Sequence, residues 1–290
     1  NILSLVGPVG NSALQAAGVA EVVRDQHGKP IVLCSLGDGM TQQGEVLEAI
    51  AHAVRDNLPV LFLVQDNAFA ISTHTGGRTF YSRPSGKADE FYGIPIRYLD
   101  GRFPEACFDT FAEVVSEMRQ DRAPAIVVFE VDRLSNHTNA DDQRVYRTAE
   151  EIEAVGKTGD PIIHLNKALV DQGEDPAELE AVVTEIRTEL KATAEEVQRS
   201  AEPKPVFDAI RPLPAELKDS KAEYRGGSSK SLTMLEAIRE VLKERLGADE
   251  RVALFGEDIE DPKGDVFGIT KGLSDTYPGR IVNSPLAEST

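Results

Sequence analysis

The chain has 290 residues, 41% hydrophobic and 28% charged, and its 49 acidic against 31 basic side chains give a formal charge of −18. That length predicts two domains, or one large domain with appendages. The acidic excess argues against a nucleic-acid or anionic-membrane surface, both of which need clustered Lys and Arg. No apolar stretch approaches the roughly 18 residues of a membrane span, and Cys34 and Cys107 have neither disulfide-framework nor metal-ligand spacing. A cytoplasmic protein is expected.

In chain order, Gly7-Pro8-Val9-Gly10-Asn11 reads as a turn before an alanine-rich helix. Residues 31–36, 60–64 and 125–131 are short, nearly continuous apolar runs, as strands covered on both faces are. Cys34, inside the first run, reads as a small buried hydrophobe. Between the first two runs, Thr41 to Asp56 carries Val46, Leu47, Ile50, Ala51 and Val54 at helical spacing, and a second helical pattern covers about 104–119. Strand alternating with helix predicts βαβ units and a parallel sheet, an α/β fold.

From about 150 to 199 the pattern is helical throughout, with an apolar stripe of Leu179, Val182, Val183, Ile186 and Leu190. Pro203, Pro205, Pro212 and Pro214, then Arg225-Gly226-Gly227-Ser228-Ser229-Lys230, predict an extended linker. After it, Ser231 is the expected N-cap of a helix through Leu232, Leu235, Ile238, Val241 and Leu242, and Val252-Ala253-Leu254-Phe255 reads as a strand. This last stretch is too short to bury a sizeable core alone. Opening on an apolar glycine-rich segment at Asn1 and closing at Pro285–Thr290, the sequence reads as a piece of a longer protein. The expected division is residues 1–150, a helical extension 151–200, a linker 201–230, and an incomplete second α/β domain 231–290.

Gly37-Asp38-Gly39 falls at the end of the first strand, where open α/β sheets bind ligands and helix N-termini offer free N–H groups to anions. Glycines let the backbone approach phosphate closely, but Asp38 would repel it. A divalent cation between carboxylate and phosphate resolves that conflict. Gln65-Asp66-Asn67-Ala68-Phe69 ends the next strand, so Asn67 can meet Asp38 and complete a hard-oxygen set suited to Mg²⁺ or Ca²⁺.

Gly37-Asp38-Gly39 followed by Asn67 resembles the diphosphate-binding motif of thiamine diphosphate enzymes, and Ala70-Ile71-Ser72-Thr73 looks like the decarboxylating first component of the 2-oxo acid dehydrogenase complexes. The resemblance implies that Asp38, Asn67 and the carbonyl of Phe69 hold Mg²⁺, and that Val9, Gly37, Gly39, Met40, Ala70 and Arg133 also bind the cofactor. Asp66 departs from the second Asn that family members often have there. Arg133-Leu134-Ser135-Asn136-His137-Thr138, then Asp141-Asp142 and Tyr146-Arg147, is similar to an ordered loop of the alpha subunits. The matching His contacts the diphosphate and helps order the loop that admits the lipoyl arm, a catalytic assignment for His137. Gly256-Glu257-Asp258, Lys271-Gly272-Leu273 and Ser284-Pro285-Leu286-Ala287-Glu288 look like the start of the beta subunit. The chain therefore resembles a fused alpha–beta form, with Glu288 as the acid that hydrogen-bonds the aminopyrimidine ring and Glu257 as a structural acid between active sites.

The implied fold is thus a parallel-sheet thiamine diphosphate-binding domain, a helical segment, a linker and the start of a second α/β domain. The implied activity is decarboxylation of a 2-oxo acid, closest to the branched-chain type, with acyl transfer to a lipoyl-bearing acyltransferase by a homo-oligomer of fused chains. Pyruvate or acetoin substrates, a transketolase-like transfer and a non-catalytic assembly module are the alternatives.

Overall fold

The computed structural model describes residues 7–202 and 231–284. One compact unit comprises residues 1–167 and 238–290, and a second comprises 168–237.

In the first unit, α1 (Asn11–Val23) precedes β1 (Val32–Gly37), a 3₁₀ turn over Asp38–Gln42, α2 (Gly44–Asp56) and β2 (Val60–Asp66). Two short antiparallel pairs follow, β3 (Phe69–Ala70) with β4 (Thr73–His74) and β5 (Ser82–Arg83) with β6 (Gly86–Lys87). Then come β7 (Glu90–Phe91), β8 (Ile94–Asp100), α3 (Pro104–Asp121) and β9 (Ala125–Glu130). The main sheet runs β1-β2-β9-β8-β7, parallel except for the short edge strand β7.

Both faces of this sheet are covered at β2 and β9, as their continuous apolar runs require. At the edge strand β1 only Cys34 and Leu36 are buried and Leu33 is 53% exposed, so the expectation of a strand covered on both faces fails there. Val60, Phe62 and Val64 of β2 point into one core with Ile126 and Val128 of β9, while Leu61, Leu63 and Val127 join Val114 and Met118 of α3 in another. Each fully buried side chain of this kind contributes about 1.5–3 kcal/mol of transfer free energy. On the first face, Ala13, Ala16, Ala17 and Ala20 of α1 join Val46, Ala49, Ile50 and Ala53 of α2 in the core, small residues at helical spacing that let two helices approach closely. Cys34 is buried, as its run predicts.

The expected helix from Thr41 starts later. Residues 38–42 make a tighter 3₁₀ turn and α2 begins at Gly44, ending at Asn57 in a left-handed conformation (φ 51°) that Asn tolerates well. The strand β8 is missed by a search for continuous apolar runs, because Pro95 and Arg97 alternate with the buried Ile94 and Ile96.

Beyond β9, α4 (Ala149–Thr158) opens with a capping box of Thr148 and Glu151, and α5 (Pro161–Asp171) follows. In the second unit, α6 (Pro176–Arg199) buries none of its residues, and Val182, Ile186 and Leu190 of the predicted stripe are exposed. The expected linker lies almost wholly outside the described residues. The helix after it, α7 (Met234–Ala248), is capped by Thr233 and not by Ser231: Thr233 Oγ1 accepts from the Glu236 N–H at 3.3 Å while the Glu236 carboxylate accepts from the Thr233 N–H at 2.8 Å. The reciprocal pair satisfies two donors where Ser231 could satisfy one.

Back in the first unit, β10 (Leu254–Gly256), α8 (Leu273–Thr276) and β11 (Ile281–Asn283) enclose a small core of Leu246, Leu273 and Ile281. The predicted strand at 252–255 is displaced toward Gly256 and pairs in parallel with β11. Arg280 ties this segment to the end of α7 by donating to the carbonyls of Leu246, Asp249 and Val252 at 2.9, 2.6 and 2.8 Å. Among the described residues, no helix is long and apolar enough to cross a membrane.

Candidate cofactor site at the carboxyl edge of the sheet

Gly37 lies opposite Gln65 in the β1–β2 register, so Asp38 and Asn67 leave the sheet from neighbouring strand ends. Both line one cavity of about 350 Å³ together with Gly37, Gly39, Met40 and Val9 on one side and Phe69, Ala70 and Ile71 on the other. His137, Glu257 and Asp258 close its remaining wall.

Asp38 is 3% exposed. Its Oδ1 accepts from the Gly39 N–H at 3.0 Å and its Oδ2 from the buried Thr75 hydroxyl at 2.9 Å. Burial pushes its carboxyl up to about 6, with the nearby Asp66 adding to the rise and the Thr75 hydrogen bond opposing it. Among the described residues no basic side chain pairs with Asp38. A buried carboxylate with hydroxyl and amide partners but no counter-charge is costly when ionised, and a divalent cation supplies the missing charge.

The second loop is held by local geometry. Asp66 Oδ1 accepts from the Ala68 N–H at 2.9 Å and Asn67 Oδ1 from the Phe69 N–H at 3.1 Å, successive side-chain-to-backbone turns. Ala68 (φ 64°) and Ile71 (φ 53°) adopt left-handed backbone, unusual for such residues and found where surrounding contacts over-determine the chain. The hairpin they shape presses Ala70 against Gly39. A Cβ on residue 39 would lie 2.8 Å from that of Ala70, so only glycine fits. Each oxygen of Asp38 and Asn67 keeps a second lone pair. With a backbone carbonyl, this is the hard-oxygen set that Mg²⁺ takes alongside phosphate and water, and the group implied by the sequence fits the residues present.

The His137 loop is ordered from beneath. Asp141, 4% exposed, accepts from the His137 N–H at 2.9 Å and from the Tyr146 hydroxyl at 2.6 Å through Oδ2, and from Lys263 Nζ at 2.6 Å through Oδ1. Burial alone would raise its carboxyl, but the Lys263, Tyr146 and His137 donors outweigh it and hold Asp141 at about 2. Thus it is the backbone of His137, not its ring, that engages Asp141.

Arg133 does not line the cavity. Its guanidinium donates to the Ile71 carbonyl at 2.8 Å and to the Tyr146 hydroxyl at 2.7 Å, and sits over the Phe69 ring at 5.1 Å, with Nε buried and unpartnered. It braces the hairpin from behind the cavity. Glu288 lies outside the described residues. Thr75, Asp258 and Lys263 have no role assigned from the sequence: Thr75 stands only within the Ala70-to-Thr75 stretch, Asp258 only within Gly256-Glu257-Asp258, and Lys263 in no motif. Asp258, itself in left-handed backbone (φ 55°), accepts from the Ser72 and Thr73 hydroxyls, the latter at 2.9 Å.

The chain is 34% identical over 188 residues to the 3-methyl-2-oxobutanoate dehydrogenase subunit alpha of Mycobacterium tuberculosis, covering 63% of this chain and 51% of that one. It is 25% identical over 226 residues to the mitochondrial 2-oxoisovalerate dehydrogenase subunit alpha of Mus musculus, 75% of this chain and 50% of the relative. It is 32% identical over 188 residues to the pyruvate dehydrogenase E1 component subunit alpha of Mycoplasma pneumoniae, 64% and 52% of the two chains. The chain therefore spans about half the length of the curated relatives it matches. The profile of the family described as "Dehydrogenase E1 component" matches residues 1–206, most of the chain, and the chain belongs to that family.

Proposed function

We propose that this chain serves the oxidative decarboxylation of a 2-oxo acid of branched-chain type, with thiamine diphosphate and Mg²⁺ as cofactors and the lipoyl group of an acyltransferase as acyl acceptor. The observation that carries the reading is Asp38, buried and without a basic partner among the described residues, lining one cavity with Asn67.

Asp38, Asn67 and the Phe69 carbonyl would hold the cation, and the cation the diphosphate. Gly37 and Gly39 let the backbone come close, and the imidazole of His137 would face the diphosphate oxygens. Val9 and Met40 supply apolar wall toward the middle of the cofactor. When bound, thiamine diphosphate supplies an electron sink for the carbon–carbon bond that breaks. Glu288 would hold a proton at the aminopyrimidine ring, a hydrogen-bonding role suited to an acid in a water-poor site. The branched-chain assignment rests on the resemblance of Ala70-Ile71-Ser72-Thr73-His74-Thr75 and of the Asn136-to-Arg147 loop to branched-chain rather than pyruvate enzymes. A single methylene in such a pocket is worth only about 1–3 kcal/mol. Fusion of alpha- and beta-type regions in one chain, assembling as a homo-oligomer, completes the reading.

Calorimetric titration with thiamine diphosphate, with and without Mg²⁺, tests it. Binding should need Mg²⁺, and Asp38→Asn should weaken it about 100-fold, equivalent to about 2.7 kcal/mol. Equal affinity of wild type and variant in Mg²⁺ refutes the assignment.

A further inference from the structure

The short segment after β10 lines the cavity with Glu257 and Asp258 and also reaches Asp141 of the His137 loop with Lys263. Asp258 grips the hairpin through Ser72 and Thr73. Five residues on, Lys263 plunges its ammonium into the protein beneath the His137 loop, where its side chain is 7% exposed and that of its partner Asp141 is 1% exposed. An ammonium taken out of water costs several kcal/mol unless paired and hydrogen-bonded. Here it is both, at 2.6 Å from Asp141 Oδ1 and 5.6 Å from the centre of the Tyr146 ring.

Asp141 is where the contacts converge. Its other oxygen takes the His137 N–H and the Tyr146 hydroxyl; the Tyr146 oxygen accepts from Arg133, and Arg133 donates to the Ile71 carbonyl at the hairpin turn. From Lys263, then, an unbroken series of short polar contacts leads to His137 in one direction and to the cavity hairpin in the other. Without a cation at Oδ1, Asp141 would be a buried carboxylate with only neutral donors. Protonation or loop opening would relieve it, and either loosens the His137 backbone.

We propose that Lys263, from the carboxyl-terminal segment, is a positioning residue for His137, acting through Asp141 within the same chain. It touches neither substrate nor cofactor. Its role is to keep Asp141 ionised and fixed, so that the 136–147 loop presents His137 to the cavity. This rests on the reading of the cavity as a thiamine diphosphate site.

The test uses the whole chain with Lys263→Met and Lys263→Arg. Lys263→Gln, which keeps a donor but no charge, replaces the methionine variant if that one does not fold. Amide hydrogen exchange without cofactor is followed across 136–147, with β2 as the internal reference, and thiamine diphosphate affinity in Mg²⁺ is measured separately. Expected are exchange at least about tenfold faster in the loop alone, affinity about tenfold weaker, and recovery of both in Lys263→Arg. Unchanged loop exchange overturns the proposal. So does unchanged affinity in Lys263→Met when Asp38→Asn has lost it, which leaves the cofactor reading standing. A wild-type chain that does not bind thiamine diphosphate with Mg²⁺ removes that reading, and the role of Lys263 toward the cavity with it.

Discussion

Replacing Gly39 by alanine puts a methyl 2.8 Å from Ala70 Cβ and 3.4 Å from Ala70 Cα. Nonbonded carbons settle at about 3.5–4.0 Å, so the two loops must part by about 1 Å. Ala70 cannot yield by rotating a side chain, and its backbone is fixed in the β3–β4 hairpin beside the left-handed Ile71. Overpacking of this kind costs about 1–3 kcal/mol, against which the stiffer unfolded chain returns about 0.4–1. Ala70→Gly alone should cost up to about 1 kcal/mol. If the overlap is the reason for glycine, the double variant Gly39→Ala/Ala70→Gly is no less stable than Ala70→Gly, and the coupling recovers nearly the whole Gly39→Ala penalty. Urea unfolding followed by tyrosine fluorescence reads this, since the chain has no Trp and five of its six tyrosines, Tyr81, Tyr92, Tyr98, Tyr146 and Tyr277, belong to the first unit. Penalties that simply add, to within about 0.5 kcal/mol, would refute the close approach of the two loops.

The low carboxyl of Asp141 makes a pH prediction. Its folded value of about 2 lies below the ordinary value near 3.9, so its stabilisation is fully present above pH ~4 and is lost as pH falls through about 2. After allowance for solvent screening it amounts to about 1–2 kcal/mol, and an Asp141→Asn chain should show a shallower loss of stability over that window; parallel acid-unfolding curves would contradict it. Burial pushes the Cys34 thiol up to about 11, which leaves about 100-fold less thiolate than an ordinary cysteine has at pH 8. Dithionitrobenzoate should therefore label Cys34 rapidly only in urea, and prompt labelling of the native chain would show the strand edge to be open.

What could be read in the sequence divides along a physical line. Strands β2 and β9 announce themselves because the apolar stretch of each is covered on both faces, and β1 because its run is mostly apolar although Leu33 and Ser35 leave one face open. The alternating β8 does not, nor does the turn that delays α2 to Gly44. Gly37, Asp38, Gly39 and Asn67 stand out because those residue types at strand ends are what a diphosphate and a cation would demand, and the structure gathers them on one cavity. Thr75 and Lys263 are illegible for the opposite reason: a hydroxyl or an ammonium serves many purposes, and theirs appear only once Asp38 and Asp141 are seen buried beside them. Arg133 illustrates a third case, in which the motif is present but the guanidinium is spent on Ile71 and Tyr146 rather than on the cavity.

The hydroxyl of Ser72 waits a long time for its acceptor. Asp258 is 186 residues further along the chain, and at translation rates of about 5–20 residues per second it leaves the ribosome about 10–40 seconds later. During that interval β1, β2 and β9 can already assemble, yet the hairpin beside the cavity still lacks the carboxylate that takes its Ser72 and Thr73 hydroxyls. The cavity wall is therefore finished last, after its floor, and a nascent chain halted before Asp258 would carry an assembled sheet with an unfinished rim.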